Sequence, residues 1–104
     1  MESERVRTFM IWVMHGSDAA RPLFLMVAEA CGLSYAEAKV RLREEVVDHL
    51  KRLYELKRRS GLAGGSFESF LRDPAVLMEG FRFMMRSLSG RIDRQRLAEL
   101  VSQI

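Results

Sequence analysis

Twenty-five consecutive residues, Tyr35 to Arg59, contain neither glycine nor proline. Ser34 precedes the run and Ser60-Gly61 follows it. Ser34 with Glu37 three positions later is a capping box. The serine oxygen accepts from a first-turn amide, and the glutamate reaches back to the Ser34 N–H. Apolar side chains recur at Tyr35, Ala38, Leu42, Val46, Leu50 and Leu53. Steps of three and four keep one face of a helix apolar along its whole length. The other side carries Glu37, Arg41, Glu45, Asp48, Arg52, Glu55 and Arg59. Glu37–Arg41, Asp48–Arg52 and Glu55–Arg59 are spaced for i,i+4 pairs with the acid first, the favourable orientation. At about 1.5 Å per residue the helix is about 37 Å long, more than the width of a small domain. Whatever else folds must therefore be arranged along it.

The remaining chain reads as shorter helices. Residues 1–5 are expected to fray. Val6 to Met14 reads as a first helix, apolar on every side through Phe9-Met10-Ile11-Trp12-Val13-Met14, and such a helix is normally buried. Gly16 supplies a left-handed stop, and Ser17 or Asp18 a cap. A second helix runs from Ala19 or Pro22 to Cys31, with Pro22 confined to its first turn and Gly32 closing it. The segment 60–65, with three glycines, is a loop between two halves of one domain spanning 1–104. Ser66 caps a short helix over Phe67–Arg72. Asp73-Pro74 starts a helix over Pro74–Leu88. Asp93 caps a last helix, with Ile92 and Leu97 as a hydrophobic staple. Leu97, Leu100, Val101 and Ile104 form its apolar stripe. Nothing alternates with period two over the length of a strand. The expected fold is all-α, five or six helices in a bundle organised around residues 35–59.

The chain has 104 residues, enough for one core without metal or disulfide. Apolar residues make up 48% and charged residues 30%, a globular balance. Arg, Gly and Asp interrupt every apolar run before it reaches the ~18 residues a membrane span needs. The opening Met-Glu-Ser-Glu-Arg is too acidic for a secretory signal, and Cys31 is the single cysteine, so a cytoplasmic location is expected. The absence of asparagine fits either a thermophilic source or a GC-rich genome. Net charge is +3; residues 1–56 carry 8 basic and 9 acidic groups, residues 57–104 carry 9 and 5. Three helices (the first, the second and the one over 74–88) are apolar around most of their circumference. A domain this small has little deeply buried volume, so a homo-oligomer or a protein partner is expected to cover some faces, with a compact monomer around a methionine-rich core as the alternative. The seven methionines suit such adaptable surfaces.

Phe24 to Leu42 reads Phe-Leu-Met-Val-Ala-Glu-Ala-Cys-Gly-Leu-Ser-Tyr-Ala-Glu-Ala-Lys-Val-Arg-Leu. The stretch resembles the helix-turn-helix DNA-binding motif. Ala28 matches the small residue of its first helix, Gly32 the glycine of the turn, and Leu33-Ser34 the end of a Gly-Leu-Ser turn that caps the recognition helix. The resemblance implies a small regulator of double-stranded DNA. Ser34, Tyr35, Ala36, Lys39 and Arg43 would then face the major groove, and Arg58 and Arg59 would contact phosphate. The same Gly-Leu-Ser is also an ordinary helix stop and start, which leaves a plain corner in a helical interaction module as the alternative.

Other basic groups admit two readings. Lys57-Arg58-Arg59 complements a helix C-terminus. Arg82, Arg86, Arg91, Arg94 and Arg96 form either a phosphate-binding stripe or the rim of an interface. Glu45 and His49 are spaced to touch one ion, but two ligands do not make a metal site. There is no P-loop and no Gly-x-Ser-x-Gly turn. The expectation is a non-enzymatic protein without cofactor or metal.

Overall fold

Ser34 and Glu37 begin the central helix as their spacing requires. The Glu37 N–H donates to Ser34 Oγ at 3.1 Å, and the Ser34 N–H donates to Glu37 Oε1 at 3.3 Å. The helix runs Tyr35–Arg59 without a break. The computed structural model describes residues 2–103, with side chains from residue 4 on. Its helices are α1 (Glu2–His15), α2 (Arg21–Cys31), α3 (Tyr35–Arg59), α4 (Phe67–Phe70), α5 (Pro74–Leu88) and α6 (Arg94–Ser102). A single 3₁₀ turn, Asp18–Ala20, joins α1 to α2. Among the described residues there is no strand, and the chain is all-α.

α3 lies along a molecule of 41 × 30 × 23 Å. Its inward face is Ala38, Leu42, Val46 and Leu50, all buried. Each of the two leucines contributes roughly 1.5–3 kcal/mol by leaving water. α2 covers the first turns of α3, where Phe24 meets Tyr35 edge to face at 6.0 Å. α1 and α5 cross its middle. The crossing is tight at Gly80: a Cβ there would stand 3.3 Å from Leu50 Cδ1 and 3.3 Å from Met10 Cε. One missing side chain thus lets three helices meet. Beyond the crossing, Tyr54 of α3 packs on Phe67 and Phe70 of α4, with ring centroids 5.6 and 5.3 Å away. Its hydroxyl donates to the Gly65 carbonyl, which pins the end of the glycine-rich loop.

Asp73 caps α5 by accepting from the Ala75 N–H at 2.9 Å, and Asp93 caps α6 by accepting from Gln95 at 2.8 Å. Ile92 and Leu97, the expected staple, are both buried. Ile104, the last member of the α6 stripe, lies outside the described residues.

The structure corrects several expectations. α1 begins at Glu2 rather than near Val6. Glu4, in its first turn, complements the positive end of the helix dipole. Nor is α1 enclosed: Phe9, Met10 and Val13 are buried, whereas Ile11 is 38% exposed. α4 ends at Phe70 instead of Arg72. Pro74 disfavours helical geometry at the residue before it, so Asp73 leaves the helix and caps the next one. The expected ion pairs along α3 do not form within 4 Å. Arg41 turns to Glu45 at 3.7 Å, while Glu37 Oε1 accepts from the Ser34 N–H.

Candidate functional site

The α2–α3 corner is built by Gly32, whose φ of 65° is left-handed and which closes α2. The Leu33 N–H then donates to the Ala28 carbonyl at 2.9 Å. Across this corner the 3₁₀ turn folds against the first turns of α3. The Tyr35 hydroxyl donates to Asp18 Oδ1 at 3.3 Å. Lys39 Nζ lies 3.9 Å from the same oxygen, and its side chain is only 27% exposed. The ammonium also stands 5.2 Å from the centre of the Tyr35 ring, and the Arg21 guanidinium stands 4.8 Å from it. Partial burial raises the Tyr35 pKa above its ordinary value. The Asp18 carboxylate adds to the shift and Arg21 opposes it. Gly16, at φ 64°, leaves room for the lysine stem, since a Cβ there would stand 3.3 Å from Lys39 Cε.

The residues singled out in the sequence therefore separate. Tyr35 and Lys39 are engaged by the Asp18 turn. Ser34 is committed to the cap, and Ala36 is exposed beside it. Arg43 faces away from the corner, toward α1 and α4. Arg58 and Arg59 are exposed at the far end of α3, roughly 28 Å along the axis from Lys39 at the helical rise. The open side of the first turns presents Ala36, Glu37, Val40, Arg41 and Glu44 in a shallow depression, with more acid than base.

Three arginines in the C-terminal half meet carboxylates. Arg82 and Arg86 lie 4.0 and 3.6 Å from Glu79, and Arg91 lies 3.9 Å from Glu45. Glu79 also approaches His49 Nε2 at 3.6 Å, while the imidazole stacks on Phe83 at 4.0 Å. This polar seam between α3 and α5 was not anticipated. Its signal in the sequence was the shared face of Glu45 and His49, opposite Glu79, Phe83 and Arg86. Arg94 and Arg96 make no ion pair among the described residues, and no three potential metal ligands converge there.

Two open grooves flank α1. One lies between α1, α5 and α6, with a volume of about 470 Å³. Val6, Phe9, Met78, Phe81, Met85 and Val101 line it, and Arg5 and Ser102 are its polar members beside Ala98. The other lies between α1, α3, α4 and the start of α5, with a volume of about 510 Å³. Its floor is Ile11, Met14, Val47, Phe67, Leu71 and Leu77, and Arg7, His15, Arg43, Glu68 and Arg72 complete it. Residues 5, 6 and 9 occupy the side of α1 opposite residues 7, 11, 14 and 15, so the apolar circumference of one helix supplies both floors. Neither groove was legible as a site, because its residues come from three or four helices.

Comparison of the chain with protein-family models, with curated proteins and with solved structures gives no match. No helix among the described residues is long and apolar enough to cross a membrane.

Proposed function

We propose that this chain is a non-enzymatic helical interaction module that binds a second copy of itself through the groove between α1, α5 and α6. The reading rests on the lining of that groove: seven apolar side chains from three helices, with Arg5 and Ser102 as its polar members. Met78 and Met85 add a surface that repacks readily against a partner. Burial of such a face is the main favourable term in association, and a two-fold axis pairs the patch with itself. Sedimentation equilibrium over a range of protein concentrations tests the reading. The wild-type chain should associate reversibly, and Met85→Lys, at the half-buried edge of the groove, should shift it to monomer. A wild-type chain that stays monomeric throughout would refute self-association.

Binding of double-stranded DNA is the second reading. Its support is the helix–turn–helix order of α2 and α3 together with Arg43, Arg58 and Arg59, which make no ion pair among the described residues. Against it stand the sequestered Lys39 and the acidic open side of the first turns of α3. Fluorescence anisotropy with a random duplex decides: DNA binding requires affinity that falls steeply with salt. The interaction reading expects none.

A further inference from the structure

The groove between α1, α3 and α4 differs chemically from its neighbour, and we infer that it is a binding site for a free long-chain anionic amphiphile, a fatty carboxylate or its equivalent. The inference is independent of self-association, since the two grooves use opposite sides of α1. Its floor is apolar and draws on four segments of the chain. Its volume, about 510 Å³, falls within the range of small-molecule sites. Three exposed arginines, Arg7, Arg43 and Arg72, line it together with a single carboxylate, Glu68. His15, in the last turn of α1, stands with them.

Four arginines elsewhere on the molecule are paired: Arg41 and Arg91 with Glu45, Arg82 and Arg86 with Glu79. The three arginines at this groove make no ion pair among the described residues. Unpaired guanidinium groups around an apolar floor complement a ligand with an anionic head and a hydrocarbon tail. The fork of donors on arginine suits a carboxylate or phosphate head bidentately. The floor would remove the tail from water at about 0.8 kcal/mol per methylene buried. An alkyl cation would meet the rim's positive charge, and an uncharged alcohol would forgo the charge-assisted hydrogen bonds.

Isothermal titration calorimetry with dodecanoate, kept below its micelle concentration, tests the site. Binding is expected with a dissociation constant on the order of micromolar. Dodecanol should bind about tenfold or more weakly, and dodecyltrimethylammonium more weakly still. The double variant Arg43→Glu, Arg72→Glu alters exposed residues and should retain the wild-type melting profile, yet lose about tenfold or more in dodecanoate affinity. Methyl NMR shifts on addition of dodecanoate should concentrate at Ile11, Val47 and Leu71. Four results would overturn the site: no dodecanoate binding, equal binding of all three amphiphiles, full affinity in the folded double variant, or shifts confined to Met85 and Val101 in the other groove. Binding to phosphatidylglycerol vesicles without binding of free dodecanoate would assign the arginines to a membrane surface and reject a free-ligand site.

Discussion

The two grooves beside α1 share the chemistry of their floors and differ at their edges. Both are lined by methionine, phenylalanine and aliphatic side chains. One has Arg5 as its single charged residue; the other has three arginines, a histidine and one carboxylate, Glu68. A border with a single charged residue favours another protein surface, because little charge is desolvated on contact. A cationic border charges a desolvation cost to any apolar partner and offsets it only for an anion. The comparison teaches that apolar residues on every side of a helix do not fix what the helix binds. The residues that ring each face decide it.

Both grooves rest on the crossing of α1, α3 and α5, and removing it has the strongest effect on each. Leu50→Ala should destabilise the fold by about 2–5 kcal/mol, read from urea unfolding, and both grooves should lose their ligands together. Gly80→Val places branched bulk where Leu50 and Met10 already lie 3.3 Å from a modest Cβ, and should cost about 1–3 kcal/mol. Wild-type stability in that variant would show that α1, α3 and α5 do not meet there.

A smaller change separates the grooves. Tyr54→Ala removes the ring that Phe67 and Phe70 pack on and the hydroxyl that holds Gly65. Local opening of α4 should become easier by about 1–2 kcal/mol. Amide exchange should quicken at residues 66–71 while residues 94–102 stay protected. Equal loosening of both segments would mean that the two grooves are not independently supported.

The smallest effect lies at the α2–α3 corner, away from both grooves. The folded chain raises the Tyr35 pKa, so the unfolded chain loses this proton first as pH rises past about 10. The contribution is complete below the unfolded value and is lost as pH climbs through the raised folded value. Urea midpoints for the wild-type chain should fall across that window, and Tyr35→Phe should flatten the slope.

What the sequence revealed was local. Ser34 and Glu37 fixed the start of α3 because a capping box involves only neighbouring backbone. Asp73-Pro74 and Asp93 placed α5 and α6 for the same reason. The apolar stripe through Ala38, Leu42, Val46 and Leu50 identified the buried face. Tertiary choices were hidden. Periodicity offered Glu37 to Arg41, but Arg41 pairs with Glu45 on the next turn. Nothing near Lys39 in the chain announced that Asp18 would fold over it, since that depends on the left-handed turn at Gly16. Arg7, Arg43 and Arg72 lie far apart along the chain and become one rim only when α1, α3 and the turn after α4 converge.

Amide hydrogen exchange at rising protein concentration distinguishes self-association through α1, α5 and α6 from a contact at the α2–α3 corner. If the chain works by association through the face of α1, α5 and α6, protection should grow with concentration at residues 76–88 and 94–102, while residues 34–44 remain as they are in dilute solution. Protection that grew at residues 34–44 instead, or that failed to grow anywhere, would rule out association through that face.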